Sequence, residues 1–373
     1  TVPNETPLLA LRSGELKEIK ESGLVQDAVK QRSLELLYKE YLSKQIDTEL
    51  LNQMVELQSE IEQKYNKFRA TVDGKTYTDN EVEKTLKEST DSKKLENVWK
   101  AHKEIGPVVA EDIIKLVKLR NKAAKELGFD NYHAMSLELS GQDPYDIEKL
   151  FDELDKLTKG AYKELKSEID AALAKRLGIK EEELMPWHYQ NRYFQEAPQI
   201  YEIDLDEYYK GKNLEELTAE YYRSIGLPID TMLAKSDLYE KEGKNQHAFC
   251  TMISKEPRDV RVLCNIQPTA RWMETMLHEY GHAVYFKWLG TDIPWIQQDC
   301  AHIFTTEAIA MFFGRLASNP QWMVDMGVIK AEEKDKVAEV ARKTLRMQQL
   351  VFSRWSQVMY RFERGMYSDP DQD

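Results

Sequence analysis

The sequence WMETMLHEYGHAV, residues 272–284, carries two histidines four positions apart within an apolar pattern of helical period. Residues four apart lie on the same face of an α-helix, so His278 and His282 can reach one metal ion. Imidazoles bind zinc at about 2.0 to 2.1 Å, and Glu279 between them can reach a water on that metal. The segment therefore predicts a zinc helix, with Glu279 as the general base that takes a proton from a zinc-bound water attacking a carbonyl.

The alternative is that the His-Glu-x-x-His pattern arose by chance on a buried helix. The chain has 7 histidines and 65 acidic residues among 373 positions. A random chain of this composition would contain the pattern in only about 2% of cases, so the zinc interpretation is favoured.

A catalytic zinc site needs a third protein ligand and keeps one position open for water. Glu307 follows the second histidine by 25 residues and lies in the apolar, helical segment 303–311. An isolated carboxylate is costly there unless it is paired or bound to a metal. We therefore predict one Zn²⁺ per chain, bound by His278, His282 and Glu307. The alternative is an ion pair between Glu307 and Arg315.

Glu274 is a candidate for orienting one of the two metal-binding imidazoles. It precedes His278 by one helical turn and so lies on the histidine face. A carboxylate in that position can orient an imidazole by a hydrogen bond. The alternative is that Glu274 is only a solvated helix residue.

The composition limits the classes of partner. Lys plus Arg number 52 and Asp plus Glu 65, which gives a formal net charge of −13. Because the chain also lacks a dense basic stripe, a nucleic-acid partner is not expected. No stretch approaches the roughly 18 uninterrupted apolar residues of a spanning helix, so we expect a soluble chain. Cytoplasmic and exported locations are both compatible, because an export signal would precede Thr1.

Charged segments with apolar residues at helical spacing dominate the chain. Residues 15–72 indicate two long amphipathic helices. Thr78 and Glu81 have the spacing of a capping box, and Gly128 is placed to end a helix. A further helix is expected from Pro144 to Gly178, because proline is tolerated in a first helical turn.

A change in composition marks the region before the zinc helix. Residues 185–209 are rich in proline and aromatic residues and indicate a loop. Residues 247–254 and 260–266 are rich in β-formers and predict one small β-hairpin next to the zinc helix. The pattern is helical again afterwards, with a last long helix over about 331–366. The fold class expected from these patterns is mainly α.

These features together resemble the gluzincin metallopeptidases, above all the angiotensin-converting-enzyme (peptidyl-dipeptidase) family and, more loosely, the thimet and oligoendopeptidase group. The resemblance covers most of the chain from about Tyr65 onward. Its specific parts are His247-Ala248-Phe249, Asp259-Val260-Arg261-Val262, the His278–His282 motif and Thr306-Glu307-Ala308. It implies a large helical body with a deep central groove, in which residues 1–140 form the lid and groove wall and residues 141–373 the zinc-binding catalytic region.

The resemblance also implies how a substrate binds. In this family a His-Ala segment before the zinc helix lies along the backbone of the bound peptide, which matches His247 and Ala248 here. A hairpin edge beside a metal can pair with an extended peptide and align its scissile carbonyl. His247 would then donate a hydrogen bond to a substrate carbonyl. Without the resemblance, His247 is an ordinary strand histidine.

The chain departs from the family pattern in two places. Met311 stands where members commonly carry an aspartate one turn after the glutamate ligand, so support for the histidines must come from elsewhere. Members also have a histidine and a tyrosine that steady the oxyanion far downstream of the zinc helix. Here the last histidine is His302, and Tyr360 and Tyr367 are expected to be packing residues. We therefore expect both ends to be cut and the natural protein to continue past Asp373, with the remainder completing the groove.

The function expected from these features is hydrolysis of short peptides, as a peptidyl-dipeptidase (carboxydipeptidase) or an oligopeptidase. The main alternative is a peptide-binding scaffold of the same fold with weak or no turnover. The absent C-terminal catalysts favour the scaffold, whereas Glu279 argues against it because a binding protein needs no general base. A zinc hydrolase of non-peptide amides is a weaker alternative, because it leaves the hairpin unexplained.

Overall fold

Helices dominate the structure. The computed structural model describes residues 6–201, 205–241, 244 and 247–372. Helices make up 67% of it, and the strands form two small antiparallel hairpins. The predicted mainly α fold is thereby confirmed. Among the described helices, none combines the length and the apolar character that crossing a bilayer requires.

The described residues contain fifteen α-helices and four β-strands. The helices are α1 (Thr6–Glu21), α2 (Ala28–Ser43), α3 (Thr48–Lys67), α4 (Asp79–Glu88), α5 (Ser92–Lys103), α6 (Ile105–Glu126), α7 (Tyr132–Leu139), α8 (Pro144–Leu177), α9 (Asp206–Tyr209), α10 (Leu214–Ser224), α11 (Asp230–Leu233), α12 (Ala270–Lys287), α13 (Ile303–Gly314), α14 (Pro320–Asp325) and α15 (Lys334–Ser368). The strands are β1 (Ala70–Val72), β2 (Lys75–Tyr77), β3 (Phe249–Lys255) and β4 (Arg258–Leu263).

The N-terminal region contains more helices than its periodicity predicts. Three helices, α1 to α3, replace the two that residues 15–72 indicate. Gly23 follows α1 at a φ of +64°, a left-handed conformation that ends a helix without strain only at glycine. Asp47 starts α3, because its carboxylate accepts a hydrogen bond from the backbone N–H of Leu50 at 3.0 Å.

The first hairpin, β1–β2, was not expected from the sequence. The two turn residues, Asp73 and Gly74, both have positive φ, at +50° and +78°. A two-residue turn of this kind matches the twist of paired strands, so three residues on each side form a ladder. Strands this short leave too few alternating positions to be recognised from sequence.

The predicted boundaries of the middle helices are confirmed. The Thr78 hydroxyl accepts from the N–H of Glu81 at 3.2 Å, and the Glu81 carboxylate accepts from the N–H of Thr78 at 2.8 Å. Gly128 follows α6 at a φ of +90°. Helix α8 begins at Pro144 and ends before Gly178, which has a φ of +68°. Local chemistry fixes these ends, so sequence alone finds them.

The chain forms two compact units. The first comprises the described residues up to Leu24, residues Leu37–Ile200 and the described residues from Leu345 onward. One of its apolar clusters joins α3 and α6, and another joins β1, α4 and α5. Tyr360 stacks on Phe151 with ring centroids 4.4 Å apart, and buried Tyr367 accepts a hydrogen bond from Arg120 at 2.9 Å. Both tyrosines are therefore packing residues, as predicted.

The second unit comprises Val25–Leu36 and Tyr201–Thr344 and is built around α12. Helices α9, α10 and α13 and both strands of the second hairpin contact α12. Its apolar side chains are accordingly almost completely buried, notably Met273, Met276, Leu277, Tyr280 and Ala283. A helix held on so many sides is a rigid base for side chains that must keep a fixed geometry.

The second hairpin confirms the prediction made for residues 247–266. Strand β3 pairs antiparallel with β4, and a bulge lies between Met252 and Ser254. The outer edge of β4 is covered, because the N–H of Asp237 donates to the carbonyl of Val262 and the N–H of Cys264 donates to the carbonyl of Asp237, both at 2.9 Å. Within the described residues, β3 has β4 as its one strand partner.

Candidate metal centre

His278 and His282 project from consecutive turns of α12 with their rings nearly perpendicular, at 86°. Their Nε2 atoms are 3.2 Å apart. Burial and the nearby His282 lower the pKa of His278 to about 4, and burial also lowers that of His282. Both rings are therefore neutral at pH 7, with a lone pair available for a metal.

Glu307 reaches the same point from α13. Its Oε2 atom is 3.5 Å from Nε2 of His278 and 3.6 Å from Nε2 of His282. Among the described residues, these three form the one group of at least three acidic, histidine or cysteine side chains whose ligand atoms could hold a metal ion. The geometry thus brings together the three ligands predicted from sequence and favours metal binding over a pair with Arg315.

The spacing of the three ligand atoms can be compared with the needs of zinc. Ligands about 2.0 to 2.1 Å from a tetrahedral zinc ion lie about 3.4 Å from one another. The three distances found here are 3.2, 3.5 and 3.6 Å. Two neutral imidazoles and one carboxylate are also the donor set of many catalytic zinc sites. The residues therefore fit a zinc ion with one position left open.

Two glycines allow α12 and α13 to approach closely enough for this convergence. A Cβ atom on Gly281 would lie 2.9 Å from the Cα of Ala310, closer than real Cβ contacts come. On the opposite helix, a Cβ atom on Gly314 would lie 3.3 Å from the Cβ of His278. The lack of a side chain at both positions therefore sets the distance at which Glu307 meets the histidines.

We expect Gly281→Ala to weaken both the fold and the metal site. The new methyl group meets backbone of α13, so the helices must separate, at a cost of about 1–3 kcal/mol typical of overpacking. Glu307 would then move away from the imidazoles. Denaturant unfolding and zinc affinity measure the two effects.

Gly160→Ala is the matched control for this substitution. Gly160 also lies within a helix, but a Cβ atom there meets nothing within 4 Å. It should leave zinc affinity unchanged and stabilise the chain by about 0.5–1 kcal/mol. Equal zinc affinities for Gly281→Ala and the unmodified chain would contradict the role given to the close helix contact.

Glu279, the predicted general base, is buried beside the metal ligands, with 8% of its surface exposed. Burial and the charge of Glu307 raise its pKa to about 7 in the metal-free chain, while a hydrogen bond from the backbone of Cys250 opposes this shift. A base whose pKa lies near the working pH is well suited to proton transfer. The bond from Cys250 also places the start of β3 beside Glu279.

Thr306 is a residue of the site whose role the sequence did not reveal. Its Oγ1 atom is 2.7 Å from Nδ1 of His282, and both side chains are buried. In the sequence, the one indication of its role is its position immediately before Glu307. Tyr222 was also missed: its hydroxyl donates to the carbonyl of Leu277 at 2.6 Å and so anchors α12 next to His278.

The remaining predicted residues lie around this centre. His247, which is exposed, and Ala248, which packs against the core, directly precede β3. Glu274 lies one turn before His278, against Gly314 of α13. Its pKa is raised because the surrounding protein desolvates the carboxyl, although part of the side chain stays exposed. Orientation of an imidazole by Glu274 stays a prediction, as do the substrate contacts of His247 and Ala248.

Comparison with known proteins adds one finding. The peptidase M2 family model, described as angiotensin-converting enzyme, matches residues 12–352, which is most of the chain. A search of curated proteins gave no match. The matched range includes α12, α13 and the second hairpin, and therefore every residue of the candidate centre.

Proposed function

The chain belongs to the angiotensin-converting enzyme family and is a zinc metallopeptidase, and from this premise we propose that it hydrolyses short peptides at one zinc centre formed by His278, His282 and Glu307. The observation that carries the proposal is the convergence of Glu307 Oε2 and the two Nε2 atoms at distances of 3.2 to 3.6 Å. When bound, the metal would polarise the scissile carbonyl and lower the pKa of a water molecule.

Glu279 would move the proton in this reaction. It accepts a proton from the attacking water and delivers it to the amide nitrogen as the C–N bond breaks, so no covalent enzyme intermediate is needed. Burial and the charge of Glu307 raise the pKa of Glu279 in the metal-free chain, and the positive charge of a bound zinc ion would oppose this shift.

The second hairpin would align the peptide. An extended substrate can add to β3 through main-chain hydrogen bonds, on the side opposite β4. This direction is supported by the contact of Cys250 with Glu279, because a peptide running along β3 would pass the general base. His247 would donate to a substrate carbonyl and Ala248 would follow the peptide backbone at the start of the strand.

We propose release of C-terminal dipeptides as the specific activity, on the basis of family membership. The test is incubation of the zinc-loaded chain with N-terminally blocked peptides, from tripeptides to dodecapeptides, followed by mass spectrometry of the products. Each peptide is paired with its C-terminally amidated form. We expect amidation to slow cleavage roughly tenfold or more, because a peptidyl-dipeptidase must recognise the free carboxylate and a hydrogen bond to a charged group contributes about 1.5–3 kcal/mol.

The outcomes separate the candidate activities. Dipeptides released only from free C-termini support the peptidyl-dipeptidase. Internal cleavage at a rate that amidation does not change would contradict the peptidyl-dipeptidase and support an oligopeptidase. Retained zinc with no cleavage of any peptide contradicts the proposed turnover and supports a peptide-binding scaffold.

A further inference from the structure

Two consecutive residues of α13 contact the two nitrogens of one imidazole. Thr306 places Oγ1 2.7 Å from Nδ1 of His282, and Glu307 places Oε2 3.6 Å from Nε2 of the same ring. Thr306 is 4% exposed and His282 is 8% exposed, so water has little access to this contact. The ring is therefore hydrogen-bonded at Nδ1 and faces the Glu307 carboxylate with Nε2, and both contacts come from one helix.

The chemistry of imidazole determines which group donates the hydrogen bond between His282 and Thr306. A neutral imidazole has one N–H and one lone pair, and a metal takes the lone pair of the nitrogen that it binds. If Nε2 faces the metal, Nδ1 must carry the proton and needs an acceptor. The hydroxyl oxygen of Thr306 is that acceptor, and a buried N–H without it would be left unsatisfied.

We infer that Thr306 is a positioning residue of the metal centre, which fixes the tautomer and the ring orientation of His282 through the bond from Nδ1–H to Oγ1. The inference rests on the proposed metal centre but not on peptide cleavage. Threonine suits the task because its β-branched side chain has few χ1 rotamers in a helix, which limits the directions that Oγ1 can take. The close contact of α12 and α13 at Gly281 brings the hydroxyl within reach.

A purely structural role is the competing explanation, since a hydroxyl in a helix can bond the carbonyl four residues back. The two explanations differ in what they predict for zinc. If Thr306 only fills space, valine replaces it with little change in metal affinity. If Thr306 positions His282, the hydroxyl itself is required, and serine should replace it.

The experiment compares Thr306→Val and Thr306→Ser with the unmodified chain, using Thr305→Val as the matched control on the adjacent position of α13. Zinc dissociation constants are measured by competition with a chelator, and the metal-free proteins are checked for equal folding by circular dichroism and thermal unfolding. We expect Thr306→Val to bind zinc about 10–100-fold more weakly. Thr306→Ser should recover most of the affinity, and Thr305→Val should match the unmodified chain.

The unmodified chain provides a second measurement that does not depend on the folding of a variant. Nitrogen-15 NMR of the zinc-loaded protein, labelled at histidine, reports the exchange of the Nδ1 proton of His282 with solvent. Slow exchange is expected if Thr306 accepts this proton in a buried bond. Exchange as fast as in free imidazole would overturn the inference.

The results also separate this inference from the proposed function. Equal zinc affinities for Thr306→Val and the unmodified chain, or a Thr306→Ser protein as weak as Thr306→Val, would overturn the role of Thr306 alone. An unmodified chain that binds no zinc would overturn the metal centre and this inference together. Neither the zinc affinities nor the proton exchange rate depends on whether the chain cleaves peptides.

Discussion

Glu279→Gln is expected to lower the rate of peptide hydrolysis by about 10²–10⁴-fold while zinc content stays unchanged. Glutamine has nearly the same size but cannot accept a proton from water, so the substitution removes the base and keeps the packing. Glu279 is not one of the three candidate metal ligands, so the substitution leaves the donor set unchanged. The measurement is kcat/KM on a peptide that the unmodified chain cleaves, with zinc determined by elemental analysis.

Glu220→Gln is the matched control, since it makes the same chemical change on α10, a helix that packs against α12. Glu220 is exposed and lies outside the three-residue group that could hold the metal. Its replacement should alter hydrolysis far less than replacement of Glu279. Similar losses in the two variants would contradict a specific role for Glu279. A Glu279→Gln protein that retains full activity would require another base.

The convergence of the three candidate metal ligands could be predicted from sequence because two of them are neighbours on one helix. The spacing of His278 and His282 fixes their shared face without knowledge of the rest of the fold. Glu307 was predicted from the cost of a carboxylate in an apolar helix, and α13 does carry it to the two imidazoles. The hairpin before the zinc helix was also predicted, because its β-formers stand out in a helical chain.

The contacts between α12 and α13 could not be predicted in the same way. Gly281 is one of the two variable positions of the zinc motif, and nothing local indicates that it faces Ala310. Thr306 likewise becomes informative only when the packing places it on Nδ1 of His282. These relationships join residues 24 or more positions apart, and they depend on how two helices pack rather than on the period of either one.

Met311 stands where members of the family commonly carry an aspartate, and sequence and structure together indicate which residue supports the histidines instead. The sequence indicates that the histidines lack an aspartate at this position and therefore need support from another residue. The structure offers Thr306 for His282, five residues earlier on the same helix. A hydroxyl satisfies the Nδ1–H without adding another negative charge near Glu279, whose pKa the charge of Glu307 already raises.

His278→Ala is expected to reduce the zinc content from about one ion per chain to near zero, because a catalytic zinc site holds its metal with three protein ligands and this change removes one. Glu307→Gln should also lose most of the zinc, since a neutral amide is a much poorer ligand than a carboxylate. Elemental analysis of metal-replete, desalted protein gives both values, with circular dichroism to confirm folding.

His133→Ala is the control for these variants, because His133 lies on α7, outside the three-residue ligand group. It should keep one zinc per chain. The Glu307 variant also decides between the two interpretations of that residue. If Glu307→Gln binds zinc as the unmodified chain does, the carboxylate is not a ligand, and a pair with Arg315 becomes the better explanation. If zinc is lost from both ligand variants and kept in the control, α12 and α13 together hold the metal, and the close contact of these helices brings their ligands to one point.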